Sequence, residues 1–327
     1  TKDMKTKKSF NDLYYEIKST DCSELIKSYK KDMFLKIFFT ILFIIFVLII
    51  YSFEFETIYK NLFLVASIFL FILLIKNFHL RSYSNSYKKY VISKIVEHYD
   101  ESFRFTPEYS IPTSTYIDGD FEQHFDRYHS EDCIVGKFDD LYPFEMGEVK
   151  TEVKHEDYDY ENHRTNRSYT TLFDGLFIKI SQDKSIPATI YVRKRVLGAK
   201  SLFVPSNRMK TKYISTASSL EEIDMDDSDF EKLYFVKTDN RLLTMQIFTS
   251  ALMRYLIDFK TKYKIVPEIT IKNNKLFIRF YINTTLFEPH YFKSPLAYSE
   301  VQKQYTFINS IMKICKDLLK NIQELEL

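Results

Sequence analysis

Two apolar runs, residues 33–53 and 58–75, stand back to back near the start of the chain, with Glu54-Phe55-Glu56-Thr57 between them. They constrain the fold more than any other feature. A helix rises 1.5 Å per residue, so roughly 20 apolar residues cross the hydrocarbon layer. The first run is free of charge from Ile37 to Phe53, with Lys36 placed to snorkel at its entrance. The second reaches spanning length if Lys60 and Lys76 turn their ammonium groups toward the headgroups. Both runs are apolar on every helical face rather than along one stripe. That favours a transmembrane helical hairpin over 33–76 against the alternative of a buried helical pair in a soluble core.

Orientation follows from lysine and arginine near the spans. Lys27, Lys30, Lys31 and Lys36 precede the first; Lys76, Arg81, Lys88 and Lys89 follow the second; the connector has Lys60 at its edge. Both termini are expected on the cytoplasmic side, with the region from Arg81 onward hung from the membrane. A cleaved signal peptide fits poorly, because the first run starts far in, is long, and lacks a small-residue cleavage pattern. Cys22, Cys133 and Cys315 are far apart and in no paired spacing, which suits a reducing compartment and argues against a disulfide framework or zinc site. The formal net charge is +2, so bulk electrostatics selects no partner class.

Past the hairpin, Tyr87, Tyr90, Val91, Ile95, Tyr99 and Phe103 recur at helical intervals and stop before Pro107. They predict a helical stalk over 77–106, packed on the body or lying on the membrane surface. From Ile111 the pattern turns to β. Residues 148–154 alternate strictly, 169–181 carry Gly175 where a bulge or bend would fit, and 186–193 read as the next strand. Residues 196–219 are irregular and polar, a candidate loop and the one sub-boundary proposed. Short strands are read at 220–225, 232–237 and 241–248, around the turn Thr238-Asp239-Asn240. Thr249 is placed to cap a helix over 250–262, and Asn273-Asn274 to turn a hairpin, because asparagine tolerates positive φ. The last helix, 299–324, repeats Val301, Tyr305, Ile308, Met312, Cys315, Leu319 and Ile322 at four-three spacing. That seam would serve a coiled-coil homo-oligomer, while Ile311 and Leu318 widen it toward packing on its own sheet.

Several segments carry a family resemblance: Ser130-Glu131-Asp132-Cys133-Ile134-Val135-Gly136; Phe173-Asp174-Gly175-Leu176-Phe177; Phe230-Glu231-Lys232-Leu233-Tyr234-Phe235-Val236; and Leu286-Phe287-Glu288-Pro289. In this order they resemble the bacterial family called domain of unknown function 3137, whose members show GED.I.G, F.GLF, F...F.V and LFEP after an N-terminal membrane hairpin. The resemblance covers about residues 85–320, with Ser130 standing where the family has glycine. It implies a membrane-tethered bacterial protein and implies no reaction; with the lysine placement above, the expected location is the bacterial inner membrane.

Four polar stretches bear on chemistry or binding. Within residues 118–132, His124, Asp126, His129 and Asp132 offer the imidazoles and carboxylates of a transition-metal site for metal-assisted hydrolysis. Their spacing matches no known ligand motif, and a polar loop is the plainer reading. Residues 155–164 read as a solvated hairpin tip. The acidic run 221–229 fails as a calcium loop, since Asp229 stands where glycine is needed, and Asp226–Asp229 reads as a cap before Phe230. Between Asp183 and Glu221 there is no acid, while Arg193, Lys194, Arg195, Lys200, Arg208, Lys210 and Lys212 are basic. Near an inner leaflet such a stretch could meet anionic lipid headgroups or an acidic protein partner; a solvated strand edge and loop is the alternative. Nucleic acid is disfavoured, because the stretch lacks the aromatic interleaving typical of single-strand binders. With no GxSxG, P-loop or GxGxxG, no nucleophile or cofactor is implied.

The expectation is therefore an α+β chain: an N-terminal segment 1–32, the transmembrane hairpin 33–76, the stalk 77–106, and a mainly antiparallel-β cytoplasmic body 107–327 ending in a helix. Its expected function is that of a membrane-anchored binding or scaffold module, with a membrane-tethered hydrolase as the alternative.

Overall fold

A computed structural model describes residues 9–52, 61, 63–69, 71, 81–122, 124–159, 164–195, 220–282, 286–290 and 293–325. It forms two compact units: Thr1–His98 with Phe287–Tyr305, and Tyr99–Leu286 with Thr306–Leu327.

The first unit is helical. α1 (Phe10–Ser19) opens on a capping box in which Ser9 and Asp12 satisfy each other's backbone N–H. α2 (Ser23–Ser52) is one continuous helix, and over Ser23–Ile50 it is long and apolar enough to cross a membrane. Only 6% of its most apolar window is buried, so that half presents Phe38, Ile41, Ile44, Ile45 and Leu48 outward. Its polar root behaves differently. Leu25, Asp32 and Lys36 are buried along one face, and Lys36 pairs with Asp32 at 2.6 Å. Lys36 therefore does not snorkel: a carboxylate one turn earlier already neutralises it.

The connector Glu54–Thr57 lies outside the described residues, as does much of the second apolar run. Its described residues, 61, 63–69 and 71, are helical, and Phe71 stacks on Phe43 at 4.1 Å between ring centroids. Among the described residues, one helix is long and apolar enough to cross a membrane, and a pair is not shown. Next come α3 (Arg81–Tyr87), a π-helical turn (Lys88–Ile92) and α4 (Ser93–Tyr99), which bury Tyr83, Tyr87, Val91, Ile92, Ile95 and Val96.

The second unit holds an antiparallel sheet in the order β1-β2-β3-β4-β9-β8-β5-β7-β6. Its strands are β1 (Arg104–Thr106), β2 (Arg127–Phe138), β3 (Tyr142–Asp159), β4 (Arg164–Ser181), β5 (Ile190–Lys194), β6 (Glu221–Ile223), β7 (Tyr234–Thr238), β8 (Glu268–Lys272) and β9 (Lys275–Tyr281). Asn273 and Asn274 both take positive φ and turn β8 into β9, as their residue type predicts. Gly175 is not the bulge. The β3–β4 register slips between Thr151 and Glu152, and Gly175 is instead a close approach, where a Cβ would fall on the Phe280 carbonyl oxygen.

The helices of this unit are α5 (Thr113–Asp118), α6 (Ser228–Leu233), α7 (Arg241–Ile247) and α8 (Ser250–Tyr263). Residues 241–248, read above as a strand, form α7, because the Asn240 side chain accepts from the Leu243 N–H and caps it. Thr249 caps α8 and Asp227 caps α6. α9 (Tyr298–Gln323) lies in the first unit as far as Tyr305 and in the second beyond it. Ile308, Ile311, Met312, Cys315, Leu318 and Ile322 are all fully buried, so the four-three seam is spent inside the chain rather than left for a second copy. Residues 196–219 lie outside the described residues.

Successive side chains of a strand face opposite sides, which gives β9 two buried faces. Phe280 meets Phe259 of α8, which also meets Phe307 of α9. Phe277 joins Ile111, Tyr116, Phe121, Cys133, Val149, Phe173 and Phe177 in a core under the 111–121 segment.

Candidate functional site

The register places charges inside the sheet. Glu268 and Arg279 are partners across the β8–β9 hairpin, and Phe177 is the next partner across from Arg279. Arg279 Nε donates to Glu268 Oε2 at 2.7 Å, and its Nη1 to Glu122 Oε1 at 3.1 Å and to the Tyr116 hydroxyl at 3.3 Å. Glu122 also accepts from Thr151 Oγ1 at 2.6 Å. Arg193 donates to the Ile269 carbonyl at 2.5 Å, to Thr270 Oγ1 at 2.7 Å and to the Asp120 carbonyl at 3.1 Å. Both guanidinium groups lie over the Phe121 ring, at 4.4 and 4.8 Å. Burial pushes the Glu268 carboxyl up, but the neighbouring Arg279 and Arg193 outweigh it and hold the group below the usual carboxylate range. Each charge is met from within. The network fixes residues 116–122 over the sheet and exposes no reactive group.

A second polar group sits where β2 bulges. The β2–β3 pairing breaks between Glu131 and Ile134, and Asp132 takes φ 55°. This brings carboxylate oxygens of Glu131, Asp132 and Glu148 within 4.8 Å of one another, the hard-oxygen set that suits a divalent cation. Glu148 Oε1 already accepts from the Leu286 N–H at 2.8 Å. Ser130 Oγ takes the Ile111 N–H at 3.1 Å, so the serine ties the covering segment to the bulge.

The four residues read as a metal set do not converge. His124 pairs with Asp126 at 3.3 Å, and Asp126 takes the Lys154 N–H at 2.6 Å. His129 lies 3.5 Å from Glu131, and Asp132 belongs with Glu131 and Glu148. Both imidazoles are largely exposed. Among the described residues, the group with metal-ligand geometry contains one of the four, Asp132.

The basic stretch divides in the same way. Arg193 is 2% exposed, which takes it off any surface that meets headgroups. Arg195 donates to the Glu231 and Tyr234 carbonyls at 2.9 and 3.2 Å and pairs with Glu222 at 3.0 Å. Lys194 is exposed. Lys200, Arg208, Lys210 and Lys212 lie outside the described residues. Sequence reasoning missed Arg279 and Glu268, although a two-residue turn at Asn273-Asn274 makes them register partners.

In the first unit, Glu288 accepts from Ser84 and pairs with Lys88 at 2.8 Å, so one carboxylate clamps α3 and the π turn. Tyr83 packs on Tyr29 of α2, 5.5 Å between centroids, beside the Asp32–Lys36 pair.

The model of the family described as "Protein of unknown function (DUF3137)" matches residues 171–320. No curated protein matches the chain closely enough to count as a relative. A solved structure, the mycobacterial trehalose monomycolate transport factor A, is similar at 8% identity with a TM-score of 0.30, covering 72% of this chain and 97% of its own.

Proposed function

We propose that this chain, which over residues 171–320 belongs to that family of unknown function, is a membrane-anchored binding module. The observation that carries the reading is α2, a single helix whose root is buried against its own unit while its apolar half is left uncovered. An uncovered stripe of Phe, Ile and Leu in water would cost roughly 25 cal/mol for each Å², so a bilayer is the environment it fits. The stacking of Phe71 on Phe43 supports a hairpin, with the second run folding back along the first. The lysine placement supports cytoplasmic termini in a bacterial inner membrane.

The body then works as a displayed surface rather than a reaction centre. Its buried Arg279, Glu268 and Glu122 satisfy one another, and the exposed Lys194, with Lys200, Arg208, Lys210 and Lys212, offers cations to an acidic partner or leaflet. The test is twofold. Full-length chain in native membranes should resist alkaline carbonate extraction, and a photoreactive residue replacing Lys194 should yield a discrete crosslinked adduct. Carbonate release or the absence of any adduct would overturn the reading.

A metal-assisted hydrolase stays the second reading, now resting on Glu131, Asp132 and Glu148. His129, 3.5 Å from Glu131, is the imidazole that would serve that trio as a base. Titrating zinc or calcium into the purified chain without a thermal shift would end this alternative.

A further inference from the structure

The cations that flank the apolar helix are not equivalent. Of those described, Lys36 is spent on Asp32, Lys88 on Glu288 and Lys89 on Glu24. Lys27, Lys30, Lys31 and Arg81 are exposed and, among the described residues, have no ion-pair partner. The three lysines fall at i, i+3 and i+4, so they share one face of α2, opposite the buried Leu25, Asp32 and Lys36. Arg81 opens α3, two residues before Tyr83, which packs on Tyr29 of the same stretch of α2.

We infer that these four residues form a collar that binds anionic phospholipid headgroups. This rests on α2 being a membrane tether. Lys30 precedes Ile37, where the charge-free run begins, by seven residues, about 10 Å of helix, which sets the collar at headgroup depth. Exposed Phe34 continues the lysine face toward the apolar half. The internal pairing of Lys36, Lys88 and Lys89 leaves the collar with the net positive charge of the root. A phosphodiester headgroup fits it because its charge lies at that depth, where a soluble acidic partner would have to displace the leaflet. Each cation near an anionic surface contributes roughly a fivefold preference at low salt.

The experiment uses full-length chain in vesicles of phosphatidylcholine and phosphatidylglycerol, with spin-labelled lipid of each kind reporting the motionally restricted shell. Phosphatidylglycerol should be enriched several-fold in that shell, and the enrichment should collapse in molar salt. The variant Lys27→Gln/Lys30→Gln/Lys31→Gln/Arg81→Gln should lose it, while Lys232→Gln/Lys320→Gln, at exposed positions of the other unit, should keep it. Equal shells in the parent chain, a preference that survives the fourfold variant, or one lost equally in the control variant would overturn the collar. A chain that resists carbonate extraction yet shows no preference refutes the collar alone. A chain that carbonate removes refutes the tether beneath it.

Discussion

Arg279 holds Glu268 and Glu122 at once, with its guanidinium between two rings, and this makes its loss costly in a particular way. Arg279→Met leaves two buried carboxylates short of their cation, and the expected cost is about 3–5 kcal/mol, read as a fall in the urea midpoint at unchanged slope. The pH dependence has a fixed sign. The folded Glu268 carboxyl lies below its unfolded value, so its contribution is complete above the unfolded pKa, roughly 4.3–4.5, and is lost as pH falls through the folded one. Acid should steepen unfolding below about pH 4.3, and Glu268→Gln should flatten that limb. Burial also pushes the Cys133 thiol up to about 11. At pH 8 the folded chain should therefore leave Cys133 unreacted with a thiol reagent, and guanidinium should release it. The Glu268–Arg279 pairing was legible, because a two-residue asparagine turn fixes which residues face each other. Glu122 was not: it reaches Arg279 from a distant segment that only tertiary packing places.

Elements were readable where their signals are local. Thr249, Asp227 and the Asn273-Asn274 turn act on backbone groups a few residues away, and each does in the fold what its residue type predicts. Residues 241–248 were misread because their β-prone residues outweighed a single asparagine cap, although Leu243, Thr244 and Ile247 bury one helical face. Gly175 was noticed for the wrong reason, since the carbonyl that excludes a Cβ lies on β9, more than a hundred residues away. Gly175→Ala should cost about 1–3 kcal/mol by thermal melting, the overpacking range. In α2, the i,i+4 spacing of Asp32 and Lys36 was visible, but its burial by α3 was not. Asp32→Asn strands a buried ammonium and should lower the melting temperature of the detergent-solubilised chain. Asp32→Leu/Lys36→Met, which removes both charges, should restore most of it.

At the scale of the molecule, hydropathy marks one helix long and apolar enough to cross a membrane, and the sheet unit explains little chemistry. Within the 118–132 cluster, His124 pairs with Asp126 ahead of β2 and His129 lies by Glu131 on it, while the bulge brings Asp132 to Glu131 and Glu148. What remains strongest is the uncovered half of α2. The direct test is a nitroxide at Phe46→Cys in full-length chain reconstituted into vesicles, with relaxation by oxygen compared against a water-soluble nickel chelate. A membrane tether requires strong relaxation by oxygen and almost none by the chelate, whereas a surface-accessible or core-packed helix would show the chelate dominant or both reagents excluded.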